Sequence, residues 1–335
     1  MSTLTSPHDL LAAVPFLIGY HPSNSLVLVA LKDDSVGMAM RVDLPIVDLI
    51  GDATSASYDL LASHFTREEA DGAFLVAYIP SDCQTGESVL INASAALMRA
   101  GVEIKESLLV HDNRFKSLLC IDATCCPPEG SPVPEIDSSR IAAEHVIAGH
   151  PMPYQNVSQL IDSIAALPSS LDPDWLAEVN SYWVESDAEE LNDLQRDGAT
   201  AIIDLAGEFE AGRAGEDREL VARVIGRMSD IQVRDFALGS HSPESTDWYW
   251  QMWRELLLAA PRGFVAPIAS VFAALAYERG EGALAQKALD RALADDEKYS
   301  LALLLRRVFT AGWPAQSFTA MRKELHPKVV AGIFG

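Results

Sequence analysis

Positive charge is what this 335-residue sequence has least of, with 25 Lys and Arg against 48 Asp and Glu and a formal net charge of −23. The shortfall is even along the chain: 20 acids to 8 bases before residue 150, and 28 to 17 after it. Nucleic-acid binding draws most of its affinity from Lys and Arg neutralising phosphates, so neither nucleic acid nor an anionic membrane is expected as a partner. Long apolar runs are scarce too. The stretch from Leu10 to Ile18 is too short for a bilayer, and the opening MSTLTSPHDLLAAVPF has no basic region before it, so neither a membrane span nor a signal peptide is expected. The expected location is cytosolic. Cysteine is limited to four residues, three of them bunched, which is no framework for a secreted disulfide protein; free thiols are the expected state. The sequence also lacks G-x-x-x-x-G-K-[ST], H-E-x-x-H, G-x-S-x-G and a G-x-G-x-x-G after a strand, so the common nucleotide, zinc-protease and serine-hydrolase chemistries have no support and no cofactor is expected.

What is present is 49% hydrophobic and long enough for two domains with cores of their own. Ser6-Pro7 with Asp9 reads as a helix N-cap, Leu10, Leu11, Val14 and Leu17 as its apolar face, and Gly19 as its left-handed stop. SLVLVAL and VGMAMRVDL, separated by Lys32 to Ser35, form a hairpin pattern. A helix around 58–65, a buried strand at 74–79 and a helix at 87–99 follow. Two strands joined at Asp112-Asn113 then complete an α-β-β-α-β-α-β-β order. Hairpins at both ends predict a mixed sheet in an α/β domain over residues 1–135. Beyond Pro134 only helical periodicity remains, predicting an all-α domain over 136–335. Within it, residues 266–295 are similar to a tetratricopeptide helix pair, with Tyr277, Ala285, Leu289 and Ala292 at the repeat's spacing. Three tryptophans in TDWYWQMWREL invite comparison of an aromatic groove with an ordinary helix core.

Chemistry concentrates in two segments. In CIDATCCPPEG, Cys120, Cys125 and Cys126 admit three readings. A structural zinc site would need a further ligand such as His145, or Cys83, His111 or His150, all scattered over different predicted elements; it lacks the usual Cys-x2-Cys spacing, and adjacent cysteines are expected to diverge. A nucleophilic thiol needs a lowered pKa, whereas Asp122 and Glu129 beside it would raise it. A rigid exit loop needs only Pro127-Pro128, Gly130 and small cysteines packed beneath, and is the reading the spacing favours. In GYHPSNSL, His21, Ser23, Asn24 and Ser25 precede the first strand, where a ligand could be held by an imidazole and hydroxyls; the plainer reading is a helix-to-strand turn.

The segments DLLAAVPFLIGYHPSNSLVLVAL, RVDLP, NRFKSLLCIDATCCPPEGSPV and GALAQKALDRALADDEKYSLALLL together resemble an actinobacterial family, domain of unknown function 4192, from Leu10 to about Pro314. Asn24 stands where that family commonly has aspartate. The resemblance implies lineage and no activity. From the residues themselves, a non-catalytic binding or assembly protein is expected, with a loop-lined pocket, a helical docking surface, and an unidentified protein or a second copy as partner. Ser23, Asn24, Ser25, Arg41 and Arg114 are its candidate ligand contacts. The alternative is an enzyme with His21 as acid or base and Cys120, Cys125 or Cys126 as nucleophile near Arg41 and Asp43, which requires the two loops to meet.

Overall fold

The computed structural model describes residues 6–44, 52–80, 86–148, 151–185, 187, 189–213 and 215–335. The chain divides into two compact units, Met1–Leu160 and Ile161–Gly335. The strand pattern thus ends well before the packing divides, because the helix that follows the last strand still belongs to the first unit.

The first unit runs α1 (Pro7–Ile18), β1 (Ser25–Lys32), β2 (Ser35–Asp43), α2 (Asp52–Arg67), β3 (Gly72–Tyr78), α3 (Gly86–Arg99), β4 (Glu103–His111), β5 (Arg114–Ser117), β6 (Ser131–Pro132) and α4 (Arg140–Ile147), and ends within α5 (Val157–Asp162). The six strands form one mixed sheet in the order β2-β1-β3-β4-β5-β6, with β3 and β4 parallel and the other neighbours antiparallel. Both expected hairpins are present. Each turns on two residues with positive φ, Asp33-Asp34 (50° and 58°) and Asp112-Asn113 (48° and 58°), the type I′ geometry that matches strand twist.

Strand alternation decides what each face of the sheet meets. Leu26, Leu28 and Ala30 of β1 share a face with Ala73, Leu75 and Ala77 of β3 and form a buried core with Phe65 of α2 and Leu90 and Leu97 of α3. Val27, Val29, Val76 and Leu108 point the other way and are also fully buried. On that second face α1 brings His8 edge-on to Phe115 of β5, and α1 packs in turn on Ile141 of α4. The result is a sheet between two helical layers. The N-cap at Ser6 and the left-handed stop at Gly19 (φ 87°) both take the form read from sequence.

The second unit is all helix, as the periodicity predicts. After a 3-10 turn at Pro168–Leu171 it contains α6 (Pro173–Asn180), α7 (Leu191–Glu210), α8 (Arg218–Arg227), α9 (Ile231–Gly239), α10 (Thr246–Ala259), α11 (Val265–Glu278), α12 (Gly282–Asp295), α13 (Ser300–Thr310) and α14 (Ala315–Phe334). The expected helix pair is α11 and α12, turned at Gly280 (φ 82°). Asp295 at the end of α12 accepts from the backbone N–H groups of Gly263, Val265 and Ala266, closing the pair at its other end. Two of the three tryptophans of α10 are engaged within the unit. Trp253 is wholly buried, and Trp250 donates to Glu281 at 2.6 Å with Arg279 over its ring.

Candidate functional site

Because β1 runs antiparallel to β3, and β3 parallel to β4, the start of β1 lies beside the carboxyl ends of β3 and β4. An open cleft of about 510 Å³ occupies that edge. Leu11 and Pro15 of α1 form part of its apolar lining with Ile79 and Val110, while His21, Ser23, Asn24, Tyr78, His111 and Asp112 supply polar groups. Ligands of open sheets with parallel strands commonly bind beyond the carboxyl ends of those strands.

The GYHPSNS loop is stitched down on both sides. With Gly19 ending α1, Tyr20 bridges Tyr154 and the His21 N–H donates to the Tyr154 carbonyl at 2.9 Å. Asn24 takes φ 48°, and its carbonyl accepts from Leu44 at 3.2 Å. Arg41 donates through Nη2 to the Ser23 carbonyl at 3.3 Å and pairs with Asp43 at 2.7 Å. Arg41 and Asp43 therefore brace the loop, and Ser25 is fully buried where β1 begins. Three atoms at this end of the sheet are buried without a hydrogen-bond partner: His21 Nε2, Ser25 Oγ and Arg41 Nε. Burial pushes the Tyr78 phenol well above its ordinary value, so at neutral pH it is a protonated hydroxyl. His111 Nδ1 lies 3.3 Å from Asp112 Oδ2.

The second concentration of chemistry is the loop between β5 and β6. The strand pattern FKSLLCID extends to Asp122, but β5 ends at Ser117, whose Oγ turns back to accept from the N–H groups of Leu119 and Cys120, both at 3.2 Å. A side-chain acceptor has replaced the ladder. The Asp122 carbonyl accepts from Cys125 and Cys126 at 3.1 and 2.7 Å, and its carboxylate accepts from Thr124 at 2.8 Å. These bonds curl the backbone so that the three sulfurs lie within 4.8 Å of one another, against the expectation that neighbouring cysteines diverge. The pKa expectation changes as well. A hydrogen bond from Cys126 holds the Cys120 thiol below its ordinary value, outweighing Asp122, while the same bond and burial push Cys126 up to about 11. The loop leaves through a turn at Gly130, but the cysteines are not packed beneath it as the exit-loop reading expects: Cys125 is exposed and Cys120 and Cys126 are half-buried, because the curl that gathers their sulfurs lies at the surface. Gly130 has φ 78°, and a Cβ there would meet the Phe115 carbonyl oxygen at 2.8 Å. Arg114 donates to the carbonyls of Glu129 and Gly130 at 2.6 to 3.0 Å, so its guanidinium clamps this loop.

The structure thus gathers His21, Ser23 and Asn24 in one place and Cys120, Cys125 and Cys126 in another. None of the three cysteines lines the cleft that holds His21. His145 sits on α4 against the Phe16 ring, 4.6 Å between centroids, and is not among the residues grouped with the thiols. Cys83 and His150 lie outside the described residues. Tyr78, Asp112 and Asn113 are polar cleft residues absent from the candidate sites read from sequence, where His111 figures only as a metal ligand; the signal for them is their position at the ends of two strands, which becomes informative only once those strands are known to be parallel neighbours.

The family model for Domain of unknown function (DUF4192) matches residues 7–316. No curated protein and no solved structure matches the chain.

Proposed function

This chain belongs to the DUF4192 family, a domain of unknown function, and we propose from the geometry of its sheet edge that the first unit is a non-catalytic binding module for a small molecule. The observation that carries the reading is the convergence of His21, Ser23, Asn24, Tyr78, His111 and Asp112 on one cleft with apolar lining. A volume of about 510 Å³ falls within the range of roughly 300–1,000 Å³ usual for small-molecule sites. The ligand class that suits it has an apolar body and a polar edge carrying both donors and acceptors. The phenol donates, the imidazoles can do either, and Asp112 only accepts while ionised. Binding is favoured over covalent catalysis because the three grouped thiols stand outside the cleft walls. The brace of Arg41 on the Ser23 carbonyl fits a site whose loop is set before the ligand arrives.

A fragment library of small aromatic and heterocyclic amides and alcohols, read by the imidazole resonances of the full chain, tests this. Fragments that bind should move the His21 and His111 signals together, and Tyr78→Phe and His21→Ala should weaken the same fragments. If fragments bind only elsewhere, or bind both variants as well as the unmutated chain, the cleft is not a binding site.

A further inference from the structure

We propose that Cys120, Cys125 and Cys126 form a binding site for one zinc ion, with three thiolate ligands and a fourth position facing solvent. The proposal is independent of the cleft and stands or falls without it. Its first support is convergence: three sulfurs lie within 4.8 Å of one another. Zinc–sulfur bonds of about 2.3 Å in a tetrahedral site put sulfurs roughly 3.8 Å apart, so closing the cluster onto an ion asks for about an ångström of movement. Side-chain rotation can supply that.

The second support is how the loop is held. Ser117 of β5 fixes its entry by accepting from the Cys120 N–H, and Arg114 of the same strand fixes its exit through the Glu129 and Gly130 carbonyls. Between them the Asp122 carbonyl takes both the Cys125 and Cys126 N–H groups. Each cysteine that carries a converging sulfur is therefore anchored through its own backbone N–H. A loop needed only to reverse the chain does not need three thiols aimed at one point. A disulfide would account for two of them and leave the third over.

The third support is charge. Asp122 and Glu129 flank the cysteines, and three thiolates would add three more negative charges. A divalent thiophilic cation leaves the cluster at a net charge of −1, and zinc accepts both thiolate ligands and a three-protein-ligand sphere completed by water. Binding to the thiol forms is a proton exchange without redox change. Three S–H bonds break, three Zn–S bonds form, the sulfurs keep their electron pairs, and up to three protons pass to buffer. Cys125 is exposed and the other two are partly so, which leaves the ion a route in and the fourth position open to water.

The full chain, stripped with chelator and kept reduced, is titrated with zinc chloride alone and, separately, with cobalt(II) chloride. The expected result is about one equivalent bound, proton release that follows the ionisation heat of the buffer, and thiolate-to-cobalt charge-transfer bands. Cys120→Ser, Cys125→Ser and Cys126→Ser should each remove the charge-transfer intensity of one thiolate and weaken zinc binding by about tenfold or more, in the range known for losing metal-site partners. Since Cys→Ser could disturb the loop, one equivalent of zinc added to the unmutated chain must also protect all three cysteines from iodoacetamide, located by peptide mass. Less than a tenth of an equivalent of zinc, protection of fewer than three cysteines, or a Cys120–Cys126 disulfide forming at the same rate with and without zinc would each overturn the proposal.

Discussion

In the helical unit Glu278, whose side chain is 9% exposed, accepts two hydrogen bonds from Arg322, at 2.7 and 3.0 Å, and lies 3.1 Å from His241 Nε2. At the open end of the sheet, Ser25 Oγ, His21 Nε2 and Arg41 Nε are also shut off from solvent but have no hydrogen-bond partner. The helical cluster goes further: the remaining guanidinium nitrogen of Arg322, Nη1, donates to the Gly239 and His241 carbonyls, so α14 is tied at once to α11 and to the end of α9. Apart from His241 Nδ1, every polar atom in that cluster named here has a partner. A buried charge with complete partners fixes helices. Buried polar atoms without partners cost about 1–3 kcal/mol each, and their grouping beside an open cleft is a reason to look for function there.

The comparison breaks most easily at Glu278. Glu278→Gln keeps the shape but leaves the Arg322 guanidinium, only 3% exposed, without its counter-charge, and should cost about 3–5 kcal/mol. Urea unfolding followed by tryptophan fluorescence reads the helical unit alone, because all six tryptophans lie beyond residue 160. A loss below about 1 kcal/mol would place the cluster with ordinary surface pairs.

Acid probes the same cluster without mutation. Burial lowers the His241 pKa below its ordinary 6.5, outweighing Glu278, and Arg322 lowers it further. Burial raises Glu278, but hydrogen bonds from His241 and Arg322 outweigh it and leave the carboxyl below its ordinary 4.5. In both cases the unfolded chain takes up the proton first, so stability rises with pH and falls as pH falls. The loss should begin as pH drops through about 6.5, where His241 of the unfolded chain charges. His326, also held down by burial, adds to it in the same direction, and Glu278 adds below about 4.5. Urea midpoints by tryptophan fluorescence between pH 8 and 4 check the sign, and a flat profile through pH 6 would remove His241 from the account.

How much of this could be read from residues alone follows the same division. The mixed sheet was legible because local signals mark its hairpins: apolar alternation on both sides of Asp33-Asp34 and of Asp112-Asn113. Most helices announce themselves by a stripe. α14 does not: it carries Pro327, and one of its buried residues is Arg322, which pattern reading sends to solvent. α9 is short, and the sequence pattern marks no helix there, although Asp230 caps its start. His21, Ser23 and Asn24 stood out as a polar loop before a strand, whereas Tyr78 and His111 become neighbours only through the parallel pairing of β3 with β4, a contact no local pattern encodes. The thiols were visible but their convergence was not, because it depends on the Asp122 carbonyl serving two N–H groups.

The finest test sets two serines of the first unit against each other. Ser6 accepts from the Asp9 N–H at the start of α1, so Ser6→Ala should cost about 1 kcal/mol as an ordinary cap loss. Ser25 is more deeply buried, yet its hydroxyl has no partner, so Ser25→Ala removes a group that was desolvated without compensation. Its effect should lie within about 0.5 kcal/mol of zero and can be stabilising. Hydrogen exchange at the Val27 and Val76 amides, in the paired centres of β1 and β3, reads both changes on one scale. If Ser25→Ala cost as much as Ser6→Ala, the Ser25 hydroxyl would have a bonding partner in solution, and the contrast between the paired Glu278–Arg322 cluster and the unpaired sheet edge would fail at its best-buried atom.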